Sequence, residues 1–157
     1  MMRYILITFL FIGSYSVSNA QEALTWHTDM NEAYEIANSE NKPLMLFFTG
    51  SDWCGWCTRL QNEVFKTSDF KNWAKQNVVL VELDFPRRKQ LERELQIQNY
   101  QLQKIFKVTG YPSVHFAKPG LAQDGKKNLN SLGKTGYVRG GAQKWLEVAN
   151  NIVAPVN

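Results

Sequence analysis

The sequence predicts an α/β fold, with a central mixed β-sheet flanked by helices. Two short apolar runs, residues 44–48 and 78–83, have the length and composition of buried strands. The segments around them carry apolar residues at helical spacing. With 157 residues, of which 44% are hydrophobic and 13% aromatic, the chain can build one core of ordinary size.

The first part of the chain predicts two strands separated by a helix. Residues 24–27 indicate a short edge strand, and a helix capped by Thr28 or Asp29 follows to about residue 39. The apolar run 44–48 shows no alternation, so it is predicted to be a central strand covered on both faces. It is therefore not an edge strand.

The middle of the chain continues the pattern of strand, helix and strand. A helix is predicted to start at Cys54 and to reach Phe65, and a second helix starts near Ser68. Residues 78–83 form the second core strand. This order predicts a parallel crossover connection between the two core strands.

Residues 87–107 are polar and contain neither Gly nor Pro, which predicts one or two helices. Their basic start, Arg87-Arg88-Lys89, would oppose the helix dipole, so the helix should not begin at Arg87. A basic run of this length is typical of a solvated surface.

The last part of the chain predicts a hairpin and a final helix. A short strand is expected over residues 113–116. Residues 118–136, rich in Gly, Asn and Lys, indicate a turn with an irregular hairpin into residues 137–138. Gly140 and Gly141 introduce a helix with an apolar stripe that reaches Val153.

The first twenty residues have the pattern of a cleaved secretory signal. Arg3 precedes an apolar stretch over residues 5–12, and the segment ends with Ser18-Asn19-Ala20. This apolar stretch is far shorter than the roughly 20 residues that span a bilayer. The sequence therefore predicts a signal peptide over 1–20, a mature domain over 21–157, and an exported, periplasmic protein.

The charge of the chain is mildly basic. The net charge is +4, and removing the one Arg and no acid of residues 1–20 leaves +3. The basic residues are mostly scattered along the sequence, so the charge argues against a nucleic-acid partner.

The two cysteines of the chain, Cys54 and Cys57, stand two residues apart directly after the strand 44–48. A thiol at a helix N-terminus lies among unpaired backbone N–H groups and at the positive end of the dipole, so its pKa falls. Cys54 is therefore the expected nucleophile and Cys57 the resolving thiol. As a structural crosslink the pair would close too small a loop to stabilise much. The pair predicts a thiol–disulfide oxidoreductase.

The order of elements and the motif Trp53-Cys54-Gly55-Trp56-Cys57 resemble the thioredoxin superfamily, and the segment 47–54 looks like its exported Dsb-type bacterial branch. The resemblance covers about residues 24–153. It implies a thioredoxin fold with a helical extension between the second core strand and the strand after Gly110-Tyr111-Pro112. In that family the proline is cis, and the residue before it offers backbone groups to an extended substrate segment.

The sequence departs from the family pattern at one position in the central strand. Members of the family usually bury an acid behind the resolving cysteine, and alignment on Cys54 puts Phe48 at that place. Glu82 or Asp84 on the neighbouring strand, or a water, would then take the proton from Cys57.

The resemblance and the motif together give a set of expected site residues and partners. Cys54 and Cys57 are the expected catalytic residues, and substrate binding is assigned to Trp53, Gly55, Trp56, Tyr111 and Pro112. Because Trp56 is uncharged, a reductase is favoured over a strong oxidant. The expected partners are exported proteins with disulfides and a membrane-embedded thiol electron donor; a monomer without cofactor is expected. Asp52 is assigned to the turn, without a catalytic role.

Two other functions remain open. A soft metal could bind the two thiolates, although a closed zinc site needs four ligands and only His27 and His115 are available to complete one. A redox-inert chaperone or adaptor would use the fold for binding only.

Overall fold

The fold is built around a five-stranded mixed sheet. The computed structural model describes residues 23–154, so the predicted signal peptide, its cleavage after Ala20 and the start at Gln21 lie outside the described residues. The strands stand in the order β1-β3-β2-β4-β5, with β1 and β2 parallel to β3 and β4 antiparallel to both β2 and β5. Their bounds are Trp26–His27 (β1), Leu44–Thr49 (β2), Val79–Asp84 (β3), Ser113–Leu121 (β4) and Lys127–Thr135 (β5). The predicted central strand is thus β2, with β3 and β4 on its two sides.

Five α-helices cover the sheet within the described residues. Their bounds are Met30–Ser39 (α1), Gly55–Leu60 (α2), Ser68–Asn77 (α3), Arg93–Ile105 (α4) and Gly141–Val153 (α5). A π-helical turn, Gln61–Phe65, continues α2 without interruption. The predicted cap of α1 is present, because the Asp29 carboxylate accepts from two backbone N–H groups of that helix. The Thr67 hydroxyl caps α3 in the same way, accepting from one backbone N–H group.

The second half of the fold differs from the sequence expectation in the hairpin. The irregular hairpin predicted into residues 137–138 is instead formed by two nine-residue strands, β4 and β5, paired over eight residues of β4 with one irregularity between Phe116 and Ala117. The polar, exposed β5 lacks an apolar pattern, and backbone pairing with β4 specifies it instead. Helix α4 begins at Arg93, after the basic run 87–89, in agreement with the prediction that the helix does not begin at Arg87.

Two hydrophobic cores lie on opposite faces of the sheet. On one face, which we call the cysteine face, Met45, Phe47 and Leu80 pack with Cys54, Cys57 and the buried residues of α3 and α5. On the other face, Leu46, Phe48 and Val81 pack against residues of α1 and α4. Consecutive residues of β2 therefore belong to different cores, as the two-residue period of a strand requires.

The longest helices among residues 23–154 have 13 residues, and none of the helices there is long and apolar enough to cross a bilayer.

Candidate active site

A tight turn carries the chain from β2 to Cys54. The backbone N–H groups of Trp53 and Cys54 both donate to the Gly50 carbonyl, at 3.2 and 2.8 Å. A side chain at Gly50 would collide with the Trp53 indole, so the turn needs glycine there. Cys54 then caps α2, with extended backbone angles and its sulfur at the first turn of the helix.

Cys54 and Cys57 form a disulfide, with their Cα atoms 5.2 Å apart. The Cys57 N–H points at the Cys54 sulfur, at 3.2 Å. Cys54 is 7% exposed and Cys57 1% exposed. When the pair is reduced, the helix dipole and this N–H favour a thiolate on Cys54, and its greater exposure makes Cys54 the sulfur that an incoming group meets first.

Trp53 forms one side of the site and is partly buried. Its Nε1 donates to the Phe85 carbonyl at 2.7 Å, and its ring lies edge-to-face with Tyr111 at 5.6 Å between centroids. The guanidinium carbon of Arg87 lies 3.8 Å from the Trp53 ring centroid. This indole is therefore held by a hydrogen bond, an aromatic contact and a cation–π contact, and it is part of the wall of the site.

Trp56 forms the other side and is 54% exposed. Its ring packs on Tyr137 at 5.2 Å, and the Arg59 guanidinium lies 5.4 Å from the centroids of both rings. The Glu63 carboxylate accepts from the Tyr137 hydroxyl and, at 2.7 Å, from Arg59 Nε. These two hydrogen bonds lower the pKa of Glu63, the one from Tyr137 having the larger effect.

Sequence reasoning missed these supports of Trp56. The spacing of Arg59 and Glu63, four residues apart on a helix, was a usable signal. Nothing local connects Tyr137 to Glu63, because the two residues are 74 positions apart.

The other predicted substrate-binding residues line the same end of the sheet. Gly55 is exposed, and no atom lies within 4 Å of the place where a Cβ would stand. The peptide bond between Tyr111 and Pro112 is cis. Because Phe48 pairs with Ser113, Pro112 lies beside the end of β2 from which the cysteine turn leaves.

Asp52, which was assigned to the turn alone, binds the loop after β3. Its carboxylate accepts from the backbone N–H groups of Arg87, Arg88 and Lys89, at 2.9, 2.7 and 3.3 Å to the nearer oxygen. These contacts, the one to Arg87 first, lower the pKa of Asp52. The three basic side chains are exposed, as predicted, while Asp52 binds their backbone next to the cysteine turn.

The structure corrects the expectation about Phe48. Its ring packs with Phe85, Phe106 and His115 on the face opposite the cysteines, and Phe47 lies on the cysteine face instead. Counting back from Cys54 gave position 48, but the two-residue period of the strand puts its side chain on the other side of the sheet. Phe47, which does lie on the cysteine face, is apolar as well, so β2 presents no acid to Cys57.

The two acids named as possible proton acceptors have different surroundings. Asp84 is buried, and its carboxylate is bound to the Ser51 N–H at 2.8 Å, the Ser51 hydroxyl at 2.6 Å and Lys89 Nζ at 3.1 Å. Glu82 is half-buried and pairs with Phe47, so its side chain is directed to the cysteine face. Burial, followed by the charge of Asp84, raises the pKa of Glu82.

The two histidines do not join the cysteines. His115 belongs to the face with Phe48, and burial lowers its pKa to about 4. His27 lies on the edge strand β1, with Nδ1 3.6 Å from Glu32. Within residues 23–154, no three His, Cys, Asp or Glu side chains form a group suited to a metal ion.

Comparisons with known proteins agree with this geometry. The model of a family described as thioredoxin-like matches residues 25–119. The disulfide bond reductase DsbH of Chlamydia pneumoniae is 36% identical to this chain over 115 residues. These residues are 73% of this chain and 64% of the relative, so the match spans somewhat less than two thirds of that protein. A solved structure of a DsbH oxidoreductase superposes with a TM-score of 0.70 at 32% identity, covering 88% of this chain and 94% of the other. A thioredoxin from Thermus thermophilus, with a TM-score of 0.59, 14% identity and coverage of 85% and 89%, supports the fold alone. The chain belongs to the thioredoxin-like family.

Proposed function

We propose that the protein is an exported thiol–disulfide oxidoreductase that reduces or isomerises disulfides in other exported proteins, with reduction as its main direction. The observation that carries this proposal is the Cys54–Cys57 disulfide at the start of α2, with the more exposed sulfur at the helix N-terminus. The similarity to a chlamydial disulfide bond reductase supports the same chemistry.

The reaction begins with the reduced protein. The Cys54 thiolate attacks one sulfur of a substrate disulfide, which forms a mixed disulfide and releases the other substrate sulfur as a thiolate that takes up a proton. Cys57 then loses its proton and attacks the Cys54 sulfur. The second substrate sulfur leaves, so the substrate gains two electrons and two protons and the protein is left with the Cys54–Cys57 disulfide.

The resolving step needs a proton acceptor, because Cys57 is almost fully buried. We assign this role to Glu82, which acts directly or through one water. Its raised pKa suits a base that works near neutral pH, and it shares the sheet face of the cysteines. Asp84 is the weaker candidate because three donors already hold its carboxylate.

The substrate segment lies across the end of the sheet. Trp53 and Trp56 supply apolar surface on the two sides of the disulfide, and Gly55 leaves the approach to Cys54 open. Tyr111 offers backbone groups to an extended segment, and Pro112 shapes that backbone. The segment therefore binds as an added extended strand, with its cysteine over Cys54.

Export by residues 1–20 would bring the protein to the periplasm, where a membrane-embedded thiol protein would reduce it again after each cycle. The molecule would act as a monomer, because one chain carries the complete site.

The test uses single cysteine variants of the chain from Gln21 to Asn157. Wild type is expected to reduce insulin with dithiothreitol as the electron source, and Cys54→Ser to lose this activity. Cys57→Ser is expected to accumulate a mixed disulfide with substrate, seen as a shifted band on a non-reducing gel that dithiothreitol removes. Full activity of Cys54→Ser would contradict the assigned nucleophile. Peptide binding by a variant with both cysteines changed to Ala, together with no reductase activity in wild type, would instead favour the redox-inert adaptor.

A further inference from the structure

Each of the two tryptophans beside the disulfide has an arginine guanidinium over its ring, but only one of these guanidinium groups is paired with a carboxylate. Arg59, near Trp56, has its guanidinium hydrogen-bonded to the Glu63 carboxylate. Among residues 23–154, the guanidinium of Arg87, which lies over the Trp53 ring, forms no ion pair with a carboxylate. Asp52 binds the backbone N–H of Arg87 and leaves the guanidinium without an anion. The positive charge on the Trp53 side is therefore open to a ligand.

This charge is held in place before any ligand arrives. The three backbone N–H groups bound by Asp52 fix the course of the loop, and Trp53 Nε1 fixes the carbonyl of Phe85 at the start of the same loop. Lys89 adds a contact to the buried Asp84. The loop cannot carry Arg87 away from the site without breaking these contacts, so little ordering is needed when a ligand binds.

An aromatic path continues from this arginine along the surface. Trp53, Tyr111, Phe85 and Tyr100 follow one another with ring centroids 5.4 to 5.6 Å apart, and Tyr100 is 51% exposed at the end of the path. An extended polypeptide on this side would meet apolar surface and the Arg87 guanidinium. Its chemical complement is a segment with a carboxylate among apolar residues.

We propose that the preferred substrates carry Asp or Glu close to the disulfide cysteine, and that Arg87 on the Trp53 indole is the residue that selects them. The inference rests on the proposed function and names its substrate class. A guanidinium stacked on a ring keeps its N–H groups at the edge, where a carboxylate can take two of them. Acidic neighbours also repel an attacking thiolate, so a fixed positive charge on the Trp53 ring removes an obstacle that such substrates present to other thiols.

The test compares two synthetic peptides with the same disulfide loop, flanked by glutamates in one and by glutamines in the other. Stopped-flow tryptophan fluorescence follows oxidation of the reduced protein, because Trp53 and Trp56 adjoin the disulfide. We expect the glutamate peptide to react about fivefold faster at low salt, the size of one exposed ion pair, and the advantage to shrink below about twofold near 1 M NaCl.

Variants separate Arg87 from the overall charge of the protein. Arg87→Gln is expected to bring the ratio of the two rates close to one. Arg87→Lys keeps the charge and is expected to retain most of the preference for the glutamate peptide. The matched control is Lys118→Gln, which removes one exposed charge from β4 six residues beyond Pro112 and should leave the ratio unchanged.

Three outcomes would overturn the inference. Equal rates for the two peptides with wild type remove the selectivity and leave the proposed function standing. An equal fall of the ratio in Arg87→Gln and Lys118→Gln would assign the effect to net charge and not to Arg87. A protein that reduces neither peptide would remove the proposed function together with this inference.

Discussion

Glu82 is the residue whose assigned role depends most on its surroundings. It is half-buried on the cysteine face, opposite Phe47 of β2. If Glu82 accepts the proton of Cys57, Glu82→Gln should slow the resolving step at pH 7 by at least about tenfold, a modest value for a lost general base. The measurement is the lifetime of the mixed disulfide between Cys54 and a substrate peptide, followed by rapid acid quench.

Asp84→Asn serves as the comparison for this prediction. Asp84 already binds Ser51 and Lys89, so its substitution should affect folding more than proton transfer. A longer-lived mixed disulfide in Asp84→Asn than in Glu82→Gln would reverse the assignment of the two acids.

The raised pKa of Glu82 also predicts how the stability of the protein depends on pH. The pKa of Glu82 is raised above its ordinary value in the folded protein, chiefly by burial. Below that value the group is protonated in both the folded and the unfolded chain. As pH rises, the unfolded chain releases this proton first, so the free energy of unfolding falls until the folded group has also ionised.

Glu82→Gln should therefore be more stable than wild type at pH 7 and close to wild type at pH 4. Urea unfolding of the oxidised proteins at the two pH values measures this difference. A variant that is less stable at pH 7 would show that the Glu82 carboxylate has favourable contacts which the burial argument does not include.

Particular residues show how far sequence reasoning reaches at this scale. Cys54, Cys57 and the exposed Trp56 follow from a nine-residue stretch, because a strand, a turn and a helix start are all local signals. Phe48 was placed on the wrong face because a shift of one residue in a strand reverses the direction of the side chain. The contacts of Asp52 could not be foreseen, since its three donors are 35 to 37 positions away.

At the scale of elements, Asp52 holds the loop between β3 and α4 in place through three backbone hydrogen bonds. Asp52→Ala removes the acceptor of three backbone N–H groups and should leave the sheet intact, because the fold does not otherwise depend on this carboxylate. The amides of residues 87–89 are expected to exchange with solvent at least about tenfold faster. Hydrogen exchange read by mass spectrometry of peptides from this loop would test the prediction.

The remainder of the sheet provides the control for that experiment. Peptides from β2 and β3 should keep their protection in Asp52→Ala, so faster exchange throughout the protein would mean general destabilisation and not release of the loop. Asp124→Ala is the matched variant, because Asp124 also accepts from a backbone N–H in an exposed turn but lies in the β4–β5 hairpin.

The elements that the sequence predicted well are those with a strong apolar signal. β2 and β3 are continuous apolar runs, α5 has an apolar stripe at helical spacing, and the predicted and observed bounds of all three agree closely. β5 has no such pattern, since its residues alternate between Asn, Ser, Lys and isolated leucines, and its existence depends on pairing with β4.

For the molecule as a whole, the sheet separates two hydrophobic cores, and only one of them contains the disulfide. The cysteine face carries α2, α3 and α5, and the disulfide is part of its core. The opposite face carries α1 and α4 and is filled by side chains such as Leu46, Phe48 and Val81. The parallel pairing of β2 with β3 brings the cysteine turn and the Arg87 loop to the same end of the sheet, and the antiparallel β4 brings Pro112 there as well.

The reduction potential reports on this whole arrangement. No charged residue stands between the two cysteines, and Glu63 balances the charge of Arg59, the nearest cation on α2. The helix N-terminus is then the main stabiliser of the Cys54 thiolate, which predicts a potential near that of thioredoxin, about −270 mV, and not above roughly −180 mV. Equilibration in glutathione buffers, with the thiol state read by alkylation, measures it.

A substitution between the cysteines tests the reason for that value. Trp56→His places a group that can carry positive charge beside the Cys54 thiolate, which stabilises the reduced form and should raise the potential by about 30 mV or more, a change of about 1.4 kcal/mol. Trp56→Phe removes the indole without adding charge, so its potential should stay close to that of wild type. If Trp56→Phe raised the potential as much as Trp56→His, packing of the indole on Tyr137 and not the absence of charge would set the direction of electron flow.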